Sequence, residues 1–268
     1  MDTRYVHGYD RRENSRLQDQ ATTLVELLHG DTAYQAGSRV LEVGCGVGAQ
    51  TLTLAASSPD AAITAIDIAA ASVAEAERRV TAAGFTNVRF ARADIFDLPY
   101  APESFDHLFA CFVLEHLPRP VEALRVLRGY LRPGGTITAI EGDHGSTSFH
   151  PDSAAARAAI GCQTELQRRA GGDAMIGRAL YPLLIAAGYS TPHVSPRLVY
   201  VDGSRPDLIE GFTRRTFTAM IEGVREPALA AGLIDAALFD QGIRDLYRTA
   251  EADGVFCYTF FKAVAGKG

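Results

Sequence analysis

The chain has 268 residues, 22% charged and 47% apolar, with a formal net charge of −6 and a pI near 5.7. This is enough apolar material for one well-cored α/β domain with accessory parts. The acidic balance argues against nucleic acid or an anionic membrane surface as partner. No apolar run approaches the about 20 residues that span a bilayer, and residues 1–20 lack the apolar segment of a secretory signal. A cytoplasmic protein is therefore expected, and the long N-terminal arm could exchange between subunits of a homo-oligomer. Cys45, Cys111, Cys162 and Cys257 are scattered without CxxC spacing, so neither a metal site nor a disulfide framework is expected.

Residues 15–29 read as an amphipathic helix. Short apolar runs at 39–44 (RVLEVG), 62–67 (AITAID), 87–94 (NVRFARAD), 105–112 (FDHLFACF) and 136–141 (TITAIE) read as strands. Helical segments at 70–83 and 120–131 lie between them, the second stopped by Arg132-Pro133-Gly134-Gly135. Strand–helix alternation predicts a mainly parallel sheet covered on both faces. Beyond Glu141 the rhythm changes. Helices are expected at 151–169, 174–187, 206–225 and 235–253, an extended segment at 193–201, and a last strand at 254–263. The organisation expected is an N-terminal helical arm (1–36) and an α/β domain (37–268). Insertions at about 145–172 and 203–252 would form a lid near the ligand crevice.

The segment VLEVGCGVGAQT (40–51) carries the first chemical signal. Gly44, Gly46 and Gly48 follow a strand and open a helix, where backbone can approach a ligand and free amides favour a negative group. The string also fits G-x-G-x-x-A, a weak dinucleotide signal by itself. Glu42, two residues before the first glycine, is awkward beside pyrophosphate and suits a ligand with an ammonium group. Asp67 ends the second strand, where an acid can take both ribose hydroxyls. Asp94 ends the third, where an acid can accept from an adenine amine.

With Glu42–Gly48, Asp67, Asp94 and LRPGG (131–135) in order, the sequence resembles the class I S-adenosylmethionine (SAM)-dependent methyltransferases. The resemblance implies a Rossmann-like α/β fold, a seven-stranded mainly parallel sheet with helical cap insertions. It implies SAM as cofactor, with Gly44, Cys45 and Gly46 wrapping the methionine end and Asp67 on the ribose. Ile68 would pack on the adenine, Asp94 would read its amine, and Ile95 or Phe96 would lie beside the ring. Cys111 would offer backbone to the methionine amine, and Gln50 and His116 complete the expected contacts. Tyr5 and Tyr9 could cover the sulfonium. Arg16 and Gln20, on one helical face, could hold the cofactor carboxylate.

The wider pattern, in YVHGY, GCGVGAQT, EGDHGS, GRALYPLL and FTAMIEGVRE, is similar to small-molecule C-methyltransferases of the ubiquinone/menaquinone and teleocidin types. C-methylation of an isoprenoid or other unsaturated natural product is the expected reaction. O- or N-methylation of a secondary metabolite and a non-catalytic SAM-binding regulator are the alternatives. A carbon acceptor leaves a cation that needs π faces and a proton acceptor, whereas oxygen and nitrogen want a base. The candidates are Glu141, Asp143 and His144 after the fifth strand, and Tyr200 as cation stabiliser or acid. Arg214 and Arg215 are adjacent on an expected helix, where an inward Arg would suit a diphosphate and a solvated face is the plainer reading.

Overall fold

The computed structural model describes residues 24–268; the expectations for Tyr5, Tyr9, Arg16 and Gln20 lie outside it. Residues 24–29 are helical (α1). Then follow β1 (Arg39–Val43), α2 (Ala49–Ser57), β2 (Ala62–Asp67), α3 (Ala70–Ala82), β3 (Val88–Arg92), β4 (Phe105–Cys111), α4 (Pro120–Tyr130) and β5 (Leu131–His150). Next are α5 (Ala154–Arg169), α6 (Leu180–Ala186), β6 (Ser190–Val201) and α7 (Pro206–Leu208). A π-helical stretch (Ile209–Thr218), α8 (Ala219–Gly223), α9 (Arg225–Ala230), α10 (Ala236–Arg248) and β7 (Val255–Gly266) complete the chain. The strands form one seven-stranded sheet in the order β3-β2-β1-β4-β5-β7-β6. The β1–β2, β1–β4, β2–β3 and β4–β5 ladders are parallel. This is the Rossmann-like α/β architecture expected, with the chain reversing direction across the sheet between β1 and β4.

The local reasons are visible in the residues. Val40, Leu41 and Val43 are buried on both faces of β1, as central parallel strands require. Pro120 occupies the first turn of α4, where its missing N–H costs nothing. Ser153 and Asp235 cap α5 and α10 through their side-chain oxygens. Gly48, at φ +81°, starts α2; a Cβ there would meet Ala76 Cα at 3.0 Å, so glycine allows α2 to lie against α3.

The ladder register aligns the carboxyl ends of the inner strands. Val43 pairs with Ile66 and Ala110, Asp67 with Arg92, and Cys111 with Ile140. Gly44 is therefore level with Asp67, Arg92, Cys111 and Ile140, and Ala93 and Glu141 come next along their strands. In open α/β sheets ligands bind outside these ends, at the point where strand order reverses.

Two expectations are corrected. The fifth strand does not stop at Glu141. It is assigned from Leu131 to His150, so EGDHGS is extended backbone rather than a connecting loop. Gly142, Gly145 and Ser146 hid it because small residues carry little strand propensity, yet Ser146 Oγ accepts from the Thr259 amide of β7 at 2.9 Å. The helix expected at 206–225 is broken into three geometries, with π-helical bonding at its centre.

The chain divides into two compact units. One comprises Val25–Glu141, Ile176–Pro196 and Phe261–Gly268 and is called the glycine-loop unit here. Its core includes Leu41, Val43, Ile66, Leu108, Ile137 and Leu180. Buried Lys262 of β7 bonds Asp31 and Thr32, tying the segment after α1 to the sheet. The other, the aromatic unit, includes Gly142–Met175 and Arg197–Phe260. In it Phe212 lies edge-on to Phe256, Tyr258 and Phe260.

Candidate active site

In the glycine-loop unit Gly44, Gly46 and Gly48 all have positive φ, the left-handed region glycine enters freely. Their surroundings differ. A Cβ on Gly44 would strike Val113 Cγ2 at 2.6 Å, whereas one on Gly46 would meet nothing within 4 Å. Gly44 and Gly48 are thus glycines for packing, and Gly46 leaves an open approach to the backbone. The Cys45 thiol is buried, and burial raises its pKa, so it is an inert wall.

Glu42 is 2% exposed, and its Oε2 has no hydrogen-bond partner among the described residues. Burial pushes its carboxyl up to about 7, with the Thr51 hydroxyl drawing it down and Asp67 adding to the rise. A buried carboxylate oxygen with no donor is costly, and a ligand ammonium would satisfy it. Gln50 lies beside His29, whose pKa burial and then the Lys262 charge lower to about 4.

Asp67 Oδ2 accepts from the Gly46 amide at 2.9 Å and Oδ1 from Ala69 at 2.8 Å. The carboxylate therefore braces the glycine loop. Ile68 next to it is 53% exposed, an apolar side chain left open beside an acid. Asp94 Oδ1 accepts from the Phe96 amide at 2.9 Å, and Ile95 packs on the core. Cys111 is buried at the end of β4. Phe112 after it has φ +59°, a strained conformation for a bulky residue. Nothing in the residue types marks Phe112 beforehand.

Glu141 Oε1 accepts from the amides of Val113 (3.0 Å) and Leu114 (2.7 Å). It pins the turn Leu114–His116 at the exit of β4. Burial, then the Glu115 charge, raise its carboxyl well above the usual range. Glu115 in turn lies 3.6 Å from His116 Nε2.

In the aromatic unit, the His144 amide and Nδ1 both lie 3.0 Å from Ala174 O. Tyr258 Oη lies 3.1 Å from the same Nδ1. Phe217 and Tyr258 flank the imidazole at ring-centroid distances of 5.9 and 5.5 Å. Asp143 Oδ1 accepts from Gly145 N at 3.0 Å and holds the extended backbone. Tyr200 is 41% exposed on edge strand β6. Tyr258, Phe212 and Phe217 were missed in the sequence, although the alternation Phe256-Tyr258-Phe260 marks one inward face of the last strand. Among the described residues no cluster of His, Cys, Asp and Glu could hold a metal, and no helix is long and apolar enough to cross a membrane.

A family model described as a methyltransferase domain matches residues 40–135. The chain is 35% identical over 132 residues to 27-O-demethylrifamycin SV methyltransferase of Amycolatopsis mediterranei, covering 49% of this chain and 48% of that protein. It is 30% identical over 134 residues to demethylmenaquinone methyltransferase of Staphylococcus aureus, covering 50% and 55%. The chain thus spans about half the length of these curated relatives. Among solved structures, the [4+2]-cyclase SpnF superposes with a TM-score of 0.57 at 22% identity, covering 93% of this chain and 81% of that one. The open Gly46 backbone and the unpartnered Glu42 oxygen fit the methionine end of SAM. Residues 40–135 thus match a methyltransferase domain, and the chain shares the Rossmann-like α/β fold of solved structures such as that cyclase.

Proposed function

We propose that the chain methylates a small unsaturated molecule, at a carbon of an isoprenoid or similar alkene. The observation that carries the chemistry is His144. It is buried, with Nδ1 3.0 Å from Ala174 O and the Phe217 and Tyr258 rings at its sides, and an imidazole is the side chain suited to moving a proton near neutral pH.

SAM, when bound, supplies an electrophilic methyl group and needs no further activation. Glu42 would hold its ammonium, the Gly44–Gly46 backbone its methionine end, Asp67 its ribose, and Ile68 and Ile95 its adenine. Asp94 would accept from the adenine amine. Gln50, Cys111 and His116 would complete the contacts. The chain's remaining work is to orient the acceptor, exclude water and move one proton. An alkene that gains a methyl at carbon becomes a cation and must shed a proton. His144 takes that proton, and the aromatic rings favour the positive charge before it leaves. Glu141 and Asp143 hold backbone in place and act as positioning residues. Tyr200 acts from the edge strand. The protein works as a homo-oligomer in the cytoplasm.

A second reading, O-methylation of a secondary metabolite, is favoured by the rifamycin relative. His144 would then serve as base toward a hydroxyl. Incubation with methyl-deuterated SAM and a panel of prenyl alcohols, prenyl diphosphates, prenylated indoles, quinols, phenols and amines tests the two. Label on an alkene carbon, located by fragmentation, is the result expected. Label confined to oxygen or nitrogen overturns C-methylation and leaves the second reading.

A further inference from the structure

The helix expected at 206–225 buries its residues with a period of five. Gly211, Phe212 and Thr213 are buried, then Thr216, Phe217 and Thr218, with exposed Glu210 before the first triplet and exposed Arg215 between the two. An α-helix cannot produce that period, but π-helical bonding can, since it joins each residue to the fifth along. The Ala219 amide reaches Arg214 O, and Thr216 Oγ1 donates to Gly211 O at 2.6 Å. Two rows result. Phe212 and Phe217 form an aromatic row, with ring centroids 6.4 Å apart. Thr213 and Thr218 form a hydroxyl row beside it, both 0% exposed.

Among the described residues, neither hydroxyl of that second row has a hydrogen-bond partner. Two sealed hydroxyls on one short stretch are a cost that a purely structural segment avoids by using valine, which has the same shape. The aromatic row also reaches the candidate base, because Phe217 is the ring that lies 5.9 Å from His144. Arg214 and Arg215, by contrast, are committed. Arg214 bonds Ala250 O and Glu251, and Arg215 pairs with Glu210.

We infer that the Thr213–Thr218 hydroxyl row, set beside Phe212 and Phe217, binds the polar end of a neutral unsaturated acceptor such as a prenyl alcohol. This rests on the proposed methyl transfer and names the acceptor's chemistry: hydroxyls and rings recognise a neutral oxygen on an alkene chain, not a diphosphate. Because both hydroxyls are sealed in this conformation, the acceptor reaches them by displacing what covers them. π-Helical turns inside α-helices occur frequently at functional sites.

The test is the double variant Thr213→Val/Thr218→Val, with Thr216→Val for comparison, in the full chain. In ligand-free protein the double variant should raise the thermal midpoint by roughly 2–4 °C, and Thr216→Val, which loses a made hydrogen bond, should lower it. Calorimetric titration of protein loaded with S-adenosylhomocysteine (SAH) should show geraniol binding to the wild type more tightly than geranyl diphosphate. The double variant should bind geraniol at least tenfold more weakly, with unchanged affinity for SAH. Equal geraniol affinity in the variant, a preference for the diphosphate, or no geraniol binding by SAH-loaded wild type overturns the inference. A lowered midpoint in the double variant also overturns it, by showing the hydroxyls to be structural. Failure of wild type to bind SAH overturns the methyl-transfer reading beneath it, and is seen before any acceptor is added.

Discussion

Replacing Glu42 by Gln should strengthen the ligand-free protein and weaken its hold on the cofactor. The buried carboxyl is raised from 4.5 to about 7, and each pKa unit is 1.36 kcal/mol. The ionised form therefore costs the folded state roughly 3 kcal/mol. The sign follows from the direction: the folded pKa lies above the unfolded one. The penalty is absent below about pH 4.5, grows as pH rises, and is complete above about pH 7. Glu42→Gln should thus match the wild type near pH 5 and exceed it by up to about 3 kcal/mol at pH 8, in urea unfolding at both pH values. Binding moves the other way. The ammonium of SAM is the donor that Glu42 Oε2 lacks, and removing one partner of a buried charged pair costs at least roughly 2 kcal/mol, or about 30-fold. SAH affinity, by calorimetry at pH 8, should fall by that factor or more. In the wild type the affinity should decline as pH falls below about 7, because protonated Glu42 must lose its proton to bind. Equal SAH affinity in Glu42→Gln, or parallel stability curves from pH 5 to 8, would refute the argument.

Gly46→Ala should lose cofactor affinity while Gly37→Ala does not. Both residues have positive φ with no atom within 4 Å of a built Cβ, so both variants bear the same cost of about 1–2 kcal/mol, and SAH titration separates them. His144→Asn should lower turnover by roughly 100-fold or more with SAH affinity intact; a variant with normal turnover would remove His144 from the chemistry. Asp31→Ala should destabilise more than Lys262→Met, because the first removes the counter-charge of a buried ammonium and the second leaves an exposed carboxylate in water; chemical denaturation of the two variants decides it. Glu141→Ala should cost roughly 2–4 kcal/mol by leaving two buried amides unpaired. Glu141→Gln, which keeps an acceptor, should cost less and gain on the wild type as pH rises, since the wild-type carboxyl is raised by burial and by Glu115.

The sheet was legible because its signals are local. Apolar runs ending at Gly44, Asp67 and Phe112 lie within a residue or two of the strands formed, and the spacing of Glu42, Asp67 and Asp94 is written in the chain. The aromatic unit was less legible because its determinants are not local. The extended backbone through Gly142 and Gly145 depends on strand partners more than one hundred residues away, such as Thr259. The π stretch lies between ordinary helical turns, and its five-residue period in GFTRRTFT departs from the 3.6-residue period by which helices are read. Tyr258 meets His144 across 114 residues, a proximity that composition and spacing do not encode.

The central claim is methyl transfer to an unsaturated carbon by a chain that holds SAM through Glu42 and moves a proton through His144. Its most direct test is the label from methyl-deuterated SAM, followed into the acceptor panel by wild type, Glu42→Gln and His144→Asn together. The account predicts label on an alkene carbon with the wild type, restored by excess SAM in Glu42→Gln and nearly lost in His144→Asn at any SAM concentration. A wild type that binds SAH yet leaves every acceptor unlabelled would contradict it.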